Sequence, residues 1–335
     1  MALKIGVVGT GNMGQYHIQR LATSISNAQV VALSDVDVEQ AKRVAEAAGE
    51  ARVYSDGHQL IGDDEVEAVI VASPGFTHEE YTLACIAAGK PVLCEKPLAP
   101  TTDACLRVLD AEAGLSDRLV QVGFMRRYDD GYRAMKASLD AGHVGSPLLM
   151  HCAHRNPAPP PGFTSDMMLT DSVVHEIDVS RWLLGQEIIA ATVFTPRRSS
   201  LAAEPLQDPQ LVLLETDGGV LIDVESFVSC QYGYDIRCEL VGESGTVALP
   251  DQVGVRLRQE GRSSTEVPAD WRSRFAPAYH AELQEWVDGV LRGEITGPSA
   301  WDGYATTAVA ERCVEALETG RRAVVDLAER PELYD

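Results

Sequence analysis

Two short stretches of this sequence carry side chains suited to acting on a hydroxyl group. In the first, Glu95-Lys96-Pro97, a lysine amine stands beside an acid and ahead of a proline that fixes the backbone, which indicates a positioned amine. In the second, Asp171 and His175 are four residues apart, so that a helix would place a carboxylate beside an imidazole. Histidine titrates near neutral pH and is suited to general-base catalysis. The spacing alone also fits a histidine held by a neighbouring acid in an ordinary helix.

The elements that must position these residues begin with a repeated strand-helix pattern. We predict buried parallel strands at 3–8, 30–33, 66–71, 92–94 and 120–122, and helices at about 11–24, 38–48, 77–89 and 101–116. Repeated βα units are typical of an α/β domain with a doubly wound parallel sheet. We therefore assign residues 1–123 to a dinucleotide-binding Rossmann domain.

The pattern changes after residue 123. We predict helices at about 129–141, 172–184, 279–292 and 300–320, a strand at 148–154, and mostly alternating strands between 188 and 258. Such alternation indicates a sheet with one covered face. Residues 124–335 are thus predicted to form a C-terminal α+β domain built on a large, mostly antiparallel sheet.

A glycine-rich turn follows the first strand and opens the first helix. It reads Gly9-Thr10-Gly11-Asn12-Met13-Gly14, and in this context the three glycines allow a tight turn, close approach of a pyrophosphate and close helix packing. Asp35 ends the second strand, where an acid binds the ribose hydroxyls. Its charge disfavours a 2′-phosphate, so that we predict NAD rather than NADP. The alternative is that Asp35 caps the following helix.

Two further loops reach the same edge of the sheet. Ser73 and Pro74 follow the strand predicted at 66–71, so their loop is expected to border the nicotinamide. His78, four residues after Pro74, is interpreted as a structural residue in the first turn of the next helix. Lys96 follows the neighbouring strand and is therefore expected near the same ligand.

Composition excludes several classes of partner. The net charge of -22 argues against nucleic acid and anionic membranes, because both need a basic surface. The sequence contains neither an apolar run of about twenty residues nor a recognisable export signal, so that a cytoplasmic protein is expected. Its seven cysteines form no Cys-x-x-Cys pair and are interpreted as reduced. We predict no metal site, since His151, Cys152 and His154 alternate in direction along a strand.

Together these motifs resemble the glucose-fructose oxidoreductase, inositol dehydrogenase and rhizopine-catabolism family over essentially the whole chain. The resemblance is carried by residues 9–14, Asp35, 94–97, 123–128 and 171–178. Within that family, the stretches 124–128, 154–157 and 232–235 are most similar to bacterial myo-inositol 2-dehydrogenases.

The resemblance implies a role for each candidate residue. Lys96 would contact the reacting hydroxyl, His175 would be the general base, and Asp171 would orient it. The predicted cofactor-binding residues are Gly9, Thr10, Gly11, Asn12, Met13, Gly14, Asp35, Ser73, Pro74, Glu95 and Lys96. The predicted substrate-binding residues are Lys96, Arg126, Arg127, Asn156, Asp171, His175 and Tyr234, with the choice between the two arginines left open.

The activity implied is NAD-dependent oxidation of a secondary hydroxyl of a cyclic polyol, with myo-inositol oxidised to 2-keto-myo-inositol (scyllo-inosose). The alternatives are another inositol isomer or a pyranose sugar, a redox-assisted elimination or glycoside cleavage, and a non-catalytic NAD-sensing regulator. A regulator would be expected to lose the lysine or the Asp-His pair. In this family the free face of the second sheet forms the subunit interface, so a homotetramer is expected, with a dimer next.

Overall fold

The computed structural model describes residues 2–49, 51–250 and 255–335. Its first sheet has six strands: β1 (Leu3–Val8), β2 (Ala28–Ser34), β3 (Arg52–Tyr54), β4 (Ala68–Val71), β5 (Val92–Glu95) and β6 (Val120–Gly123). They lie in the order β3-β2-β1-β4-β5-β6, and every neighbouring pair is parallel. This order is that of a doubly wound dinucleotide-binding sheet, which reverses direction between β1 and β4. The predicted Rossmann fold is confirmed.

Helices connect these strands, and several begin at a side-chain cap. They are α1 (Asn12–Thr23), α2 (Val38–Ala48), α3 (Gly57–Ile61), α4 (His78–Ala87) and α5 (Thr102–Ala113). Asp37 accepts a hydrogen bond from the backbone N–H of Gln40, and Thr101 accepts one from Ala104, which satisfies donors that a helix start leaves unpaired. The central strands β4 and β5 are buried at every residue. Burial on both faces explains the apolar runs at 68–71 and 92–94.

The second sheet has seven strands: β7 (Pro147–Arg155), β8 (Ile188–Phe194), β9 (Gln210–Thr216), β10 (Leu221–Phe227), β11 (Asp235–Gly242), β12 (Gly245–Ala248) and β15 (Ala323–Val324). They lie in the order β12-β11-β7-β10-β9-β8-β15. The β7–β10 pair is parallel, and the other pairs are antiparallel. Along β9, fully buried residues alternate with more exposed ones, so that one face of the sheet is covered. The predicted α+β domain with a mostly antiparallel sheet is confirmed.

Further helices and a hairpin lie before this sheet or between its strands in the sequence. They are α6 (Asp130–Asp140), α7 (Ser165–Met167), a π-helical turn (Met168–Ser172), α8 (Val174–Leu184), the hairpin strands β13 (Arg256–Gln259) and β14 (Arg262–Thr265), α9 (Trp271–Arg292) and α10 (Ala300–Thr319). No helix among the described residues is long and apolar enough to cross a membrane.

Three local predictions differ from the structure. Strand β3 and helix α3 were not predicted, because β3 has three residues and none is fully buried, which leaves no apolar run to recognise. Helix α9 begins at Trp271 instead of residue 279 and contains Pro277, whose missing N–H interrupts the pattern on which a helix prediction depends. Helix α8 begins at Val174, after the π-helical turn, instead of residue 172.

By compactness the chain divides into two units. The first comprises Met1–Met125, Tyr279–Thr307 and Ala328–Asp335, and the second comprises Arg126–Ala278 and Ala308–Leu327. The chain thus returns to the first unit after residue 278. Domains are regions that fold and function together, whereas these units are defined by compactness. The predicted domains, 1–123 and 124–335, therefore stay a prediction.

Candidate functional site

The glycines of the first turn have three different environments. Gly9 has a φ of +95°, and a Cβ there would lie 2.5 Å from the Ser73 nitrogen, so that both conformation and space require glycine. A Cβ on Gly14 would lie 1.9 Å from the Gly9 carbonyl oxygen, whereas one on Gly11 would meet no atom within 4 Å. Gly9 therefore makes the turn, Gly14 allows close packing, and Gly11 faces open space.

That open space lies at the N-terminus of α1. The helix begins at Asn12, and Gly11 provides no side-chain cap, so the first N–H groups remain directed toward an approaching anion. Thr10 is buried and Met13 is half-buried. This arrangement fits the pyrophosphate of a dinucleotide without a basic patch, in agreement with the strong negative charge of the chain.

The Asp35 carboxylate follows β2 and is fixed by the same turn. Its Oδ2 accepts hydrogen bonds from the Thr10 N–H at 2.7 Å and the Thr10 hydroxyl at 2.8 Å, and its Oδ1 accepts one from the Asp37 N–H at 2.9 Å. Burial raises the pKa of Asp35, but these hydrogen bonds lower it by a larger amount, so that the pKa is lowered overall. The carboxylate is therefore anionic at neutral pH. The cap of α2 is Asp37, which shows that the alternative of Asp35 as helix cap is wrong.

Glu95 ends β5 with its side chain turned inward. One carboxylate oxygen lies 2.7 Å from Nε2 of the buried His17, and the other accepts a hydrogen bond from the Lys96 N–H at 3.3 Å. A Cβ on Gly123, at the end of β6, would lie 3.1 Å from this carboxyl group. The Lys96-Pro97 peptide bond is cis, which the sequence left undecided. Glu95 thus contacts the main chain of the lysine that follows it.

The loop containing Ser73 and Pro74 is joined to this segment by a histidine. Nε2 of His78 lies 2.8 Å from the Ser73 carbonyl oxygen, and Nδ1 lies 2.6 Å from the Pro97 carbonyl oxygen. The Ser73 hydroxyl also lies 2.7 Å from that of Thr77. His78 therefore has the structural role that the sequence indicated.

In the second unit, Asp171 precedes the helix that carries His175. Asp171 lies in the π-helical turn, where the Val173 N–H donates to the Met168 carbonyl oxygen at 2.9 Å. His175 lies in the first turn of α8 and is 9% exposed. The two residues are four apart in sequence but do not share one regular α-helix, because a π-turn is wider than an α-turn.

A buried ion pair joins Arg126 to Glu176, the residue that follows His175 on α8. Arg126 Nη1 donates to Glu176 Oε1, Arg126 Nη2 lies 3.2 Å from His154 Nδ1, and Glu176 Oε2 lies 3.0 Å from that same nitrogen. Burial raises the pKa of Glu176, but Arg126 and then His154 lower it by more, so the net pKa is lowered. The His154 ring stacks on His175 with centroids 6.3 Å apart. Sequence analysis missed Glu176 and gave His154 no role, because no local pattern joins them to Arg126.

Arg127 forms a second ion pair with α8. Its Nε and Nη2 donate to the two oxygens of Asp178 at 3.1 and 2.5 Å. The structure therefore attaches both candidate arginines to carboxylates of this helix, Arg126 fully buried and Arg127 partly exposed. Which of them contacts a substrate stays a prediction.

Tyr234 and Asn156 are the remaining predicted polar contacts. Tyr234 is buried, with its ring edge-on to His154 at 6.0 Å and to Phe275 at 6.2 Å. Burial raises the pKa of Tyr234 to about 12, with a smaller opposing effect of Arg126, so that the phenol is neutral and can donate a hydrogen bond. Asn156 is anchored through its main chain, accepting from the Cys230 N–H at 3.0 Å.

The histidines considered for a metal site lie on opposite faces of β7. His151 is exposed and bonds to Asp223, whereas His154 is buried with Glu176. Across residues 2–49, 51–250 and 255–335, no group of three or more His, Cys, Asp or Glu side chains could hold a metal ion.

The three glycine environments predict a separation between stability and cofactor affinity. We expect Gly11→Ala to unfold at nearly the wild-type temperature, because its Cβ has free space, while NAD binding weakens at least about tenfold because the pyrophosphate can no longer approach the backbone. Gly14→Ala is expected to lose about 1–3 kcal/mol of stability through the clash with Gly9. Thermal unfolding and NAD titration measure both effects. Equal destabilisation by the two variants would contradict this assignment.

The buried Arg126–Glu176 pair predicts a large effect of Glu176→Gln. Removing one charge leaves the other buried and unpaired, and we expect a loss of about 3–5 kcal/mol in the free energy of unfolding, measured by urea denaturation. Because the folded-state pKa of Glu176 is lowered, its contribution is present above the unfolded-state pKa of about 4.3 and is lost as the pH falls through the folded-state value. Glu39→Gln, in the exposed pair with Lys42, is the matched control and should change nothing measurable. Equal stability of the two variants would refute the role of the buried pair.

The chain is similar to known proteins over nearly its whole length. A family model described as an oxidoreductase family with an NAD-binding Rossmann fold matches residues 3–124, and the C-terminal alpha/beta domain of the same family matches residues 136–327. An inositol 2-dehydrogenase of Burkholderia cenocepacia is 51% identical over 335 residues, covering 100% of this chain and 99% of that protein. One of Pseudomonas fluorescens is 52% identical over 335 residues and covers 100% of both.

Solved structures give the same result. The crystal structure of myo-inositol dehydrogenase from Lactobacillus casei in complex with NAD(H) and myo-inositol has a TM-score of 0.97 at 39% identity, covering 100% of both chains. The scyllo-inositol dehydrogenase of that organism, with NAD(H) and scyllo-inositol bound, has a TM-score of 0.88 at 26% identity, covering 97% of this chain and 99% of that chain. The chain therefore belongs to the glucose-fructose oxidoreductase, inositol dehydrogenase and rhizopine-catabolism family of NAD-dependent oxidoreductases.

Proposed function

We propose that this enzyme oxidises the hydroxyl at C2 of myo-inositol to give 2-keto-myo-inositol. The observation that carries the proposal is the full-length similarity to a myo-inositol dehydrogenase, with a TM-score of 0.97, in a chain that has Lys96, Asp171 and His175 at the motif positions of the family. The curated relatives at 51% and 52% identity are inositol 2-dehydrogenases. Family membership alone would leave the substrate open, because one fold serves many reactions.

Oxidation of a secondary alcohol removes a proton from oxygen and a hydride from carbon. NAD, when bound, supplies the hydride acceptor. In our proposal His175 accepts the hydroxyl proton, and Asp171 orients its imidazole and stabilises the charge that forms. The ammonium group of Lys96 donates a hydrogen bond to the same oxygen and stabilises its developing negative charge. These three residues form the proposed catalytic set.

The cofactor-binding proposal follows from the first unit. The N–H groups after Gly11 would hold the pyrophosphate, and Asp35 would accept hydrogen bonds from the ribose hydroxyls. Asn12, Met13, Ser73 and Pro74 are proposed contacts by position. Glu95 is proposed to act through the main chain of Lys96, because its carboxylate is turned toward His17.

Hydroxyl recognition is proposed for the polar side chains of the second unit. Arg127 is held against Asp178 by two hydrogen bonds and is partly exposed, so that its planar guanidinium is proposed to donate to ring hydroxyls. The neutral Tyr234 phenol and the Asn156 amide can each donate and accept. Arg126 is proposed as the alternative arginine, held rigidly by Glu176.

The second candidate substrate is an inositol epimer, favoured by the TM-score of 0.88 with a scyllo-inositol dehydrogenase. Epimers differ only in the direction of one or more hydroxyls, so a few polar side chains decide between them. A pyranose sugar is the third candidate. A non-catalytic regulator is disfavoured, because the lysine, aspartate and histidine are all present.

We further propose a cytoplasmic homotetramer. The seven cysteines are free and buried, which is typical of proteins in reducing compartments. The second sheet has apolar side chains on its uncovered face, including Leu149, Phe194, Leu211 and Leu221, which are 38 to 51% exposed. The same face holds a groove of about 810 Å³. Apolar side chains exposed on a sheet face, here together with charged residues that line the groove, favour contact with a second copy.

An absorbance assay for NADH tests the substrate. We expect accumulation with myo-inositol and NAD, and less with scyllo-inositol, chiro-inositol and glucose, because the polar contacts must match the hydroxyl directions. Net NADH formation also distinguishes this reaction from an elimination that recycles its cofactor. Absence of turnover with every polyol would remove the inositol assignment.

Lys96→Ala provides the variant for the same assay. We expect kcat to fall about 100-fold or more, because a charge-stabilising donor is lost. Lys136→Ala is the matched control, since Lys136 forms an exposed pair with Asp140 on α6 and should leave kcat unchanged. Wild-type turnover by Lys96→Ala would remove the role proposed for this lysine.

Sedimentation velocity at micromolar concentration tests the assembly. We expect a tetramer for the wild-type protein and a smaller species for Leu211→Glu, because a carboxylate on the uncovered sheet face would be buried unpaired in the interface. Leu115→Glu is the matched control, since Leu115 is similarly exposed, 36% against 38% for Leu211, but lies outside the sheet. A wild-type monomer or dimer would contradict the tetramer.

A further inference from the structure

The His78 ring connects the two loops that end neighbouring strands of the parallel sheet. The Ser73 carbonyl, after β4, lies 2.8 Å from Nε2, and the Pro97 carbonyl, after β5, lies 2.6 Å from Nδ1. The ring is 2% exposed, so water does not compete freely for either nitrogen. These two hydrogen bonds join the loop after β4 to the loop after β5, which contains Lys96.

The chemistry of these two partners fixes the protonation of the ring. A backbone carbonyl oxygen only accepts hydrogen bonds, so each ring nitrogen must carry a proton to make its bond. A neutral imidazole carries one N–H, whereas the imidazolium cation carries two. Both bonds therefore exist together only when His78 is charged.

We propose that His78 is a buried imidazolium that positions Lys96 by joining the Pro97 carbonyl to the Ser73 carbonyl. It is a positioning residue, because it acts through the main chain that carries the lysine. The proposal rests on the catalytic role proposed above for Lys96. It adds a required charge state to a histidine that sequence analysis interpreted only as structural.

The surroundings of the ring stabilise the cation. Burial by itself lowers the pKa of His78, but the adjacent Cys94 side chain and the two carbonyl oxygens more than offset this and raise the pKa to about 9. Among the described residues, Cys94 on β5 is the titratable side chain that acts most strongly on the ring. On α4 itself, Glu79 is engaged with Arg107 of α5, and Glu80 is engaged with His58 of α3.

A second histidine holds the other side of the lysine. His17 binds the Glu95 carboxylate at 2.7 Å, and that carboxylate accepts a hydrogen bond from the Lys96 N–H. The residue before Lys96 is thus held through its side chain, and the residue after it through its carbonyl group. Rigid positioning matters here because a displacement of about 1 Å can lower a rate about 100-fold.

The charge of the ring can be measured directly. In full-length protein labelled with ¹⁵N-histidine, we expect both His78 nitrogens to be protonated at pH 7.5 and to titrate only near pH 9. Because the folded-state pKa is raised, the stabilisation is complete below the unfolded-state value of about 6.5 and is lost as the pH rises through the folded-state value. A neutral ring at pH 7.5 would overturn the proposal, whether or not the enzyme oxidises a polyol.

The positioning role is tested with His78→Gln and with His58→Gln, an exposed histidine of the same unit, as the matched control. We expect faster hydrogen exchange in the peptides covering 73–78 and 94–99 of His78→Gln only. We also expect kcat to fall at least about tenfold, while the Kd for NAD rises by a clearly smaller factor, since the glycine turn and Asp35 are untouched and only the contacts on the two loosened loops weaken.

Wild-type exchange in both peptides of His78→Gln, or an unchanged kcat, would overturn the positioning role. Loss of NAD affinity in parallel with kcat would instead indicate general unfolding and would also overturn it. If no polyol is oxidised by the wild-type protein, the proposed function fails, while hydrogen exchange and the ring charge still decide this inference. If His78→Gln does not fold, the charge of the wild-type ring decides it alone.

Discussion

Hydrogen bonds from buried side chains to the loops at the carboxyl edge of the parallel sheet fix the geometry of everything proposed for the first unit. Thr10 binds Asp35, Glu95 lies between His17 and the Lys96 main chain, and His78 joins the loops after β4 and β5. Loops at a sheet edge lack the regular pairing of strands, so their main-chain groups need such partners. The position of a residue on one of these loops therefore depends on the hydrogen bonds that hold the loop.

The second unit depends on a different constraint, the neutralisation of buried charge. Helix α8 carries Glu176 and Asp178, and each is paired with an arginine that precedes α6 in the chain. A carboxylate buried without a partner would cost several kcal/mol, so these pairs fix the helix next to Arg126 and Arg127. His175, on the same helix, stacks on His154, which shares the Glu176 carboxylate. The proposed base thus lies on a helix held by ion pairs instead of by apolar packing alone.

The features that sequence predicted are those set by local pattern. The strands from β1 to β6 other than β3, the glycine turn and Asp35 each have a signal within a few residues, such as a continuous apolar run or a required φ. The contacts that sequence missed join residues far apart in the chain, as with His17 and Glu95 or Arg126 and Glu176, and no periodicity encodes such pairs. The π-helical turn at Met168–Ser172 precedes the predicted helix start at 172 and was missed, because no local sequence pattern distinguishes a turn with i→i+5 hydrogen bonds. The sequence left open whether Asp35 caps α2, and only the hydrogen-bond geometry assigned the cap to Asp37.

The central claim is that the hydrogen on C2 of myo-inositol leaves as hydride and is found in NADH. The most direct measurement uses myo-inositol deuterated at C2 with unlabelled NAD, followed by mass spectrometry and NMR of the nicotinamide. We predict one deuterium at nicotinamide C4 for each keto product formed. NADH without deuterium, or deuterium released to water while product forms, would contradict the claim.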